Sequence, residues 1–413
     1  MQSRWSDTDA ALAVAEARAS GLPDLLGLRV YTSRLIGQEP DLVLHSGGNT
    51  SVKIMDAEGG PVIHVKAAGR DLGDIAAPGL PAMRLAPLLE TRDIPVLPDE
   101  DMVALLRRSL IDARAPTPSV EALLHARLPQ VFVDHSHATA ILALADQPDM
   151  AATVARVFGG RLGFVPYVMP GHGLAQACMA AFEADPVVEG LWLENHGLVT
   201  FGASARESYE RMIAFVTLAE AHLTDRGVTL PGPEPVDLSA PDTLEFALTE
   251  ALVQHGGLGR GPGVEFRSSP SIRRWLARAD LAALSQRGLA TPDHVGHLKP
   301  FGMILPAGAN KAAIAMALLD YAEDYRAWFD RNAPHEGEET VMLDPLPRAV
   351  LVPDLGVYGL GRDARAAAIA GDLLEQTARI VNAAEDYGRF TPVSEAALFA
   401  VEYGALEQAR LKG

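Results

Sequence analysis

The stretch Val131-Phe132-Val133-Asp134-His135-Ser136-His137 alternates apolar and polar side chains at period two, the pattern of a half-buried β-strand. Successive side chains of a strand point to opposite faces, so His135 and His137 share one face, with Cα atoms roughly 6.5–7 Å apart. Two imidazoles so spaced can converge on one ion at Zn–N distances of about 2.0–2.1 Å. Asp134 and Ser136 point to the other face. Taken alone, His-x-His is more readily a pair of ordinary strand histidines. A third histidine adds weight. Residues 190–195 read as another apolar strand, and Glu194-Asn195-His196-Gly197 closes it with a turn. A turn histidine followed by a permissive glycine stands where loop ligands stand. Three histidines with an open coordination position make a catalytic site, and imidazoles without thiolates suit Zn, Fe, Ni or Cu.

Outward from these strands, residues 1–228 alternate helical and strand patterns, the signature of an α/β domain. Residues 42–44 and 62–66 read as strands; residues 102–112, 119–127 and 174–184 read as helices. Residues 204–223 carry an apolar stripe of Met212, Phe215, Val216, Leu218 and Ala219 and read as an amphipathic helix. Asp7 and Thr8 open a capped N-terminal helix. Residues 229–242 are rich in proline and acid, lack periodicity and read as a linker. Residues 243–413 form a second, smaller α/β unit. In it, residues 349–352 are a buried strand leading through a glycine-rich turn into a long helix over 364–386.

Composition narrows the chemistry. The 413 residues include one cysteine, Cys178, which rules out an internal disulfide framework and a cysteine-based zinc site. There is no run of eighteen apolar residues and no secretory signal at the N-terminus, and with a single cysteine a cytoplasmic protein is the simplest reading. The formal charge of −18, from 53 acidic and 35 basic residues, gives no general attraction to nucleic acid or anionic membrane. An anionic substrate has to be held locally, by backbone N–H groups and a few placed cations.

Such places exist. His45-Ser46-Gly47-Gly48-Asn49-Thr50-Ser51-Val52-Lys53 joins two glycines, hydroxyl and amide donors and a cation, and Lys66-Ala67-Ala68-Gly69-Arg70 follows a strand with two cations. Gly-Gly-Asn is also a common turn. In Thr117-Pro118-Ser119-Val120-Glu121, Thr117 can cap a helix with Pro118 at its first position. Glu121 then stands in the first turn, one turn before His125. A carboxylate near a metal that is not a ligand is the natural general acid/base, helped by surroundings that raise its pKa. Gly359-x-Gly361-x-x-Ala364 matches part of a dinucleotide fingerprint, but no second strand carries the expected acid, and it reads as a tight strand–helix turn. Thr291-Pro292-Asp293-His294 reads as a helix start.

Together, Gly48-Asn49-x-Ser51, Pro118-Ser119-x-Glu121, His135-x-His137 and Asn195-His196-Gly197 resemble the class II aldolase/adducin family, in the order and spacing of fuculose- and rhamnulose-phosphate aldolases. The remainder is similar to the aldolase portion of bifunctional rhamnulose-phosphate aldolase/alcohol dehydrogenases, through Leu351-Val352-Pro353 and residues 402–409, with no counterpart of the dehydrogenase portion. The resemblance implies a three-layer αβα fold with a central, mainly antiparallel sheet. It implies Zn²⁺ on His135, His137 and His196, Glu121 as acid/base, and a homotetramer. Gly48, Asn49 and Ser119 match phosphate contacts, with Ser51, Lys53 and Gly69 in the same loops as further substrate contacts. The implied reaction is cleavage or formation of a C–C bond in a ketose, foremost a ketose 1-phosphate, through a metal-stabilised enediolate. Ala68 and Val120 stand where hydroxyl residues are usual, so two donors to phosphate are missing. Rival readings are a sugar-phosphate 4-epimerase or sugar-acid-phosphate decarboxylase of the same family, a non-catalytic adducin-like interaction module and, more distantly, a nucleotide-binding dehydrogenase.

Overall fold

The structure, a computed structural model, describes all residues except 57, 240–241, 260, 334–339 and 405–413. The described chain divides into two compact units, Met1–Gly227 and Val228–Gly413. Among the described residues no helix is long and apolar enough to cross a membrane.

The first unit is built on a seven-stranded sheet of β1 (Asn49–Met55), β2 (Pro61–Val65), β3 (Ala82–Arg84), β4 (Phe132–Ser136), β5 (Leu162–Val165), β6 (Gly190–Leu193) and β7 (Gly197–Gly202). Its order is β3-β2-β1-β4-β7-β6-β5, and every pair is antiparallel except β5–β6. Helices cover both faces, so the expected αβα architecture with a mainly antiparallel sheet is the one observed. One face carries helices Asp24–Gly37 and Ala205–Asp225. There Asp134 pairs with Arg29 at 2.6 Å, both fully buried, and accepts from Ser208 Oγ at 2.5 Å. The opposite face, which carries Val133 and His135, is closed by an apolar core under helices Ala122–Arg127 and His172–Ala184.

Two local expectations differ. Residues 42–44 are irregular, although Leu42 and Val43 are buried. They are apolar because they pack, not because they pair. The helix expected from Ser119 begins at Ala122. Backbone bonds compete successfully with a cap at Thr117: Ala68 N–H donates to Thr117 O (2.9 Å), and Ser119 N–H donates to Lys66 O (3.0 Å). These bonds tie residues 117–119 to the chain beyond β2 and fix the approach of Glu121.

The second unit has a four-stranded sheet of β8 (Gly263–Arg267), β9 (Met303–Ile304), β10 (Ala349–Val352) and β11 (Gly356–Gly361), in the order β8-β11-β10-β9. Residues 356–361, read as a glycine-rich turn, are a strand, hydrogen-bonded to β10 and β8. Glycine serves close packing here: a Cβ on Gly359 would lie 2.4 Å from Ala367 O of helix Ala364–Tyr387. Within 229–242, residues 240–241 fall outside the described residues. The preceding stretch, expected to be a linker, is part of the second unit: Pro231 O accepts from Arg379, Glu234 from Ser271 N–H, and Asp237 pairs with Ser268. Of residues 402–409, those from 405 onward are also outside the described residues.

Candidate metal centre

β4 lies between β1 and β7, with His135 opposite Asn49 on one side and Val199 on the other. This register brings three chain segments to one point. His137 follows the end of β4, and His196 sits in the turn between β6 and β7. The turn can reach β4 because residue 197 is glycine; a Cβ there would stand 2.4 Å from Ser136 O. All three imidazoles are buried, and one ligand atom from each can be chosen so that the three lie within 4.8 Å of one another.

The donor chemistry fits a divalent transition ion. His135 Nδ1 is 3.1 Å from Leu198 O, a carbonyl that can only accept. Nδ1 therefore carries the proton and Nε2 presents its lone pair, the outer-shell arrangement of metal-bound histidines. His135 Nε2 and His137 Nε2 are 3.0 Å apart, near the roughly 3.3 Å between two ligands at tetrahedral Zn–N bonds of about 2.0–2.1 Å. Burial holds the His135 pKa down to about 4, leaving it neutral near pH 7, the form that ligates.

Glu121 faces the trio. Its Oε2 lies 3.6 Å from His135 Nε2 and its Oε1 lies 3.7 Å from His196 Nε2. Asn49 Nδ2 donates to Glu121 Oε2 at 2.5 Å and reaches Ser119 Oγ at 3.3 Å. Burial alone would raise this carboxyl. The Asn49 amide and, once protonated, the imidazoles of His135 and His196 outweigh burial and hold it below the ordinary carboxylate value. The expectation of a raised pKa is thus corrected: Glu121 is an ionised base at neutral pH.

The remaining candidates separate. Gly48, Asn49, Ser119 and Glu121 converge on the trio or on the groups that face it. Ser51 and Lys53 lie on the Asn49 face of β1 but further along it. Ser51 Oγ is 2.8 Å from His125 Nδ1, and Lys53 Nζ donates to the carbonyls of His125 (2.7 Å) and Gln130 (2.8 Å), its pKa lowered to about 7 by burial. Gly69 is exposed with φ +71. Lys66 is buried and donates to Ser46 O and to Arg70 O, joining the two loops from below.

His125 is the residue that sequence reasoning passed over. Its Nε2 contacts Asn49 Oδ1, an acceptor, so Nε2 donates, and Nδ1 accepts from Ser51 Oγ. That bond turns the Asn49 NH₂ group toward Glu121. The signal was its place one turn after Glu121.

A pH dependence follows. Burial lowers the folded pKa of His135 to about 4 and of His125 to about 3, from an ordinary 6.5. The unfolded state therefore binds more protons between those values. Stability is intact above about pH 6.5 and falls as pH drops toward 4. We expect the melting temperature of metal-free protein to decline from pH 7 to 4.5, and bound metal to be released in the same window. A flat melting temperature across it would contradict the assignment.

Comparison with known proteins agrees with this architecture. Residues 28–223 match the class II aldolase and adducin N-terminal domain, and residues 246–411 match the second domain of class II aldolases. The chain belongs to the class II aldolase and adducin family. It is 28% identical over 410 residues to the uncharacterized oxidoreductase YuxG of Bacillus subtilis (strain 168), a match over 95% of this chain and 59% of that relative, so the chain spans about three fifths of the relative's length. Among solved structures it is similar to the N-terminal class II aldolase domain of a conserved protein from Thermoplasma acidophilum, with 38% identity over 54% of this chain and 99% of that chain and a TM-score of 0.47. It is also similar to L-fuculose-1-phosphate aldolase from Thermus thermophilus, with 18% identity over 50% and 98% and a TM-score of 0.33.

Proposed function

We propose that this chain is a metal-dependent lyase that cleaves and forms a C–C bond in a ketose, with a ketose 1-phosphate of the rhamnulose or fuculose type as substrate. The observation that carries the reading is the carboxylate of Glu121, ionised and held 3.6 and 3.7 Å from two imidazole nitrogens of the trio. His135, His137 and His196 would hold the ion, with zinc favoured by the family resemblance and the all-imidazole set open to other divalent transition ions. When bound, it supplies Lewis acidity to the oxygens of the ketose.

The protein groups do the rest. In cleavage, the C3–C4 bond breaks. Its electron pair passes to the carbonyl side of the ketose, and the C4 hydroxyl gives up its proton as the aldehyde departs. Glu121 is the base placed to take that proton and return it to the carbon left behind. Asn49, turned by His125, holds the Oε2 lone pair so that the carboxylate keeps one orientation through both transfers. Gly48, Asn49, Ser119 and Gly69 are the groups that would hold the remote anionic end. Ala68 and Val120 bring no hydroxyl to it. Fixing that end is what aligns the breaking bond.

The test is metal analysis together with an aldehyde-release assay on a panel of ketose 1-phosphates and their unphosphorylated parents. About one ion per chain and release from at least one ketose is the expected result. Stoichiometric metal without release from any of them would sink the lyase assignment and leave the metal centre standing.

A further inference from the structure

Behind the turn that carries His196 lies a carboxyl group the proposed chemistry does not use. Asp146 is fully buried, at the C-cap of helix Thr139–Ala145, which begins two residues after His137. Its Oδ1 accepts from Asn195 Nδ2 at 3.0 Å, and its Oδ2 has no hydrogen-bond partner among the described residues. The same helix end takes two further bonds from Asn195: the side-chain Nδ2 and the backbone N–H both reach Ala145 O at 3.3 Å.

Asn195 needs holding. It is a non-glycine residue at φ +51, in the left-handed region, where a side chain is costly unless local bonds favour it. That backbone conformation aims the next residue, His196, back toward β4. His196 N–H then closes the turn on Leu193 O at 3.2 Å, and Gly197 abuts Ser136. The imidazole is thus suspended between one residue locked to Asp146 and another packed on the end of β4, next to the other two histidines.

We propose that Asp146 is a positioning residue for the metal centre: through Asn195 it locks the turn that presents His196, and so sets metal affinity without touching the ion. Burying a carboxyl with one oxygen unmatched is costly, and the contact to Asn195 is what it provides in return. The helix from Thr139 to Ala145 couples the two halves of the ligand set, since its start follows His137 and its end grips the His196 turn. This inference rests on the metal-centre reading for its affinity consequence but not for the geometry of the turn.

The test compares wild type with D146L, which removes the acceptor, D146N, which keeps an acceptor oxygen for Asn195, and N195G, which adopts positive φ freely but loses the amide. Co²⁺ is titrated against a chelator, its visible absorption spectrum is recorded, and hydrogen exchange across residues 193–198 is followed in metal-free protein. We expect D146L and N195G to bind Co²⁺ about 10–100-fold more weakly with an altered spectrum, the range for losing an outer-shell partner. We expect D146N to stay within about threefold of wild type, and D146L to exchange faster at 193–198 with no metal present. If D146L fails to fold, N195G carries the same comparison. Wild-type affinity, spectrum and exchange in the acceptor-less variants would overturn the proposal. If wild type itself takes up no Co²⁺, the metal-centre reading fails, and the exchange at 193–198 alone decides the positioning role.

Discussion

Glu121→Gln is expected to leave the metal centre loaded and to slow aldol cleavage by about two to four orders of magnitude, the usual share of a general acid/base. The two effects separate because Glu121 faces the imidazoles across 3.6–3.7 Å and is not itself needed to fill the three-histidine set. Glutamine has the same shape and can still accept from Asn49 through its carbonyl oxygen. It cannot take a proton from a hydroxyl. The measurement is kcat on the best ketose substrate, alongside metal content for each preparation. A variant with full metal and activity within tenfold of wild type would show that the proton travels by another route.

The double substitution His135→Ala, His137→Ala carries the second large effect, a loss of stoichiometric metal. One histidine alone leaves at most a weak site, because affinity depends on several ligands closing on the ion together. Wild type should show a rise in melting temperature when zinc is added, since a ligand that binds only the folded state stabilises it by mass action. The double variant should show none, at any zinc concentration that leaves the protein soluble. A persistent zinc-dependent rise would place the ion elsewhere. Activity should vanish with the metal.

The site was legible where side-chain period and chemistry coincide. Alternation over residues 131–137 put His135 and His137 on one face and Asp134 on the other, and the structure has Asp134 paired with Arg29 on that far side, with β4 ending at Ser136. Asn49, Ser51 and Lys53 read as parts of one glycine-rich loop, but residues 49–55 form β1, where period two puts the three on one face at different depths. Asn49 stands at the end next to the trio, whereas Ser51 and Lys53 run on beneath His125. The pKa of Glu121 was misjudged for a related reason. Burial was foreseeable from an apolar helix start, but the imidazoles that outweigh it come from segments far away in sequence. The irregular stretch 42–44 and the glycine-rich strand β11 show the two ways local reading fails. Apolar residues can pack without pairing, and glycines can mark the close approach of a helix in place of a turn. Asp146 left no trace at all, because only the fold puts it against Asn195.

The position of β4 between β1 and β7 would also make capture of an ion by the three histidines a reporter of chain assembly. The three histidines come from either side of residues 138–195, a stretch of helices that also carries β5 and β6, and the Glu121 that faces them is steadied by a residue near the start of the sheet. No hairpin formed early from neighbouring segments contains the set. Pairings of this kind are the slow ones, since distant stretches must be brought together before any contact stabilises them. A refolding experiment in which Co²⁺ colour is followed in time would therefore lag behind helix formation and mark the moment the middle of the sheet closes.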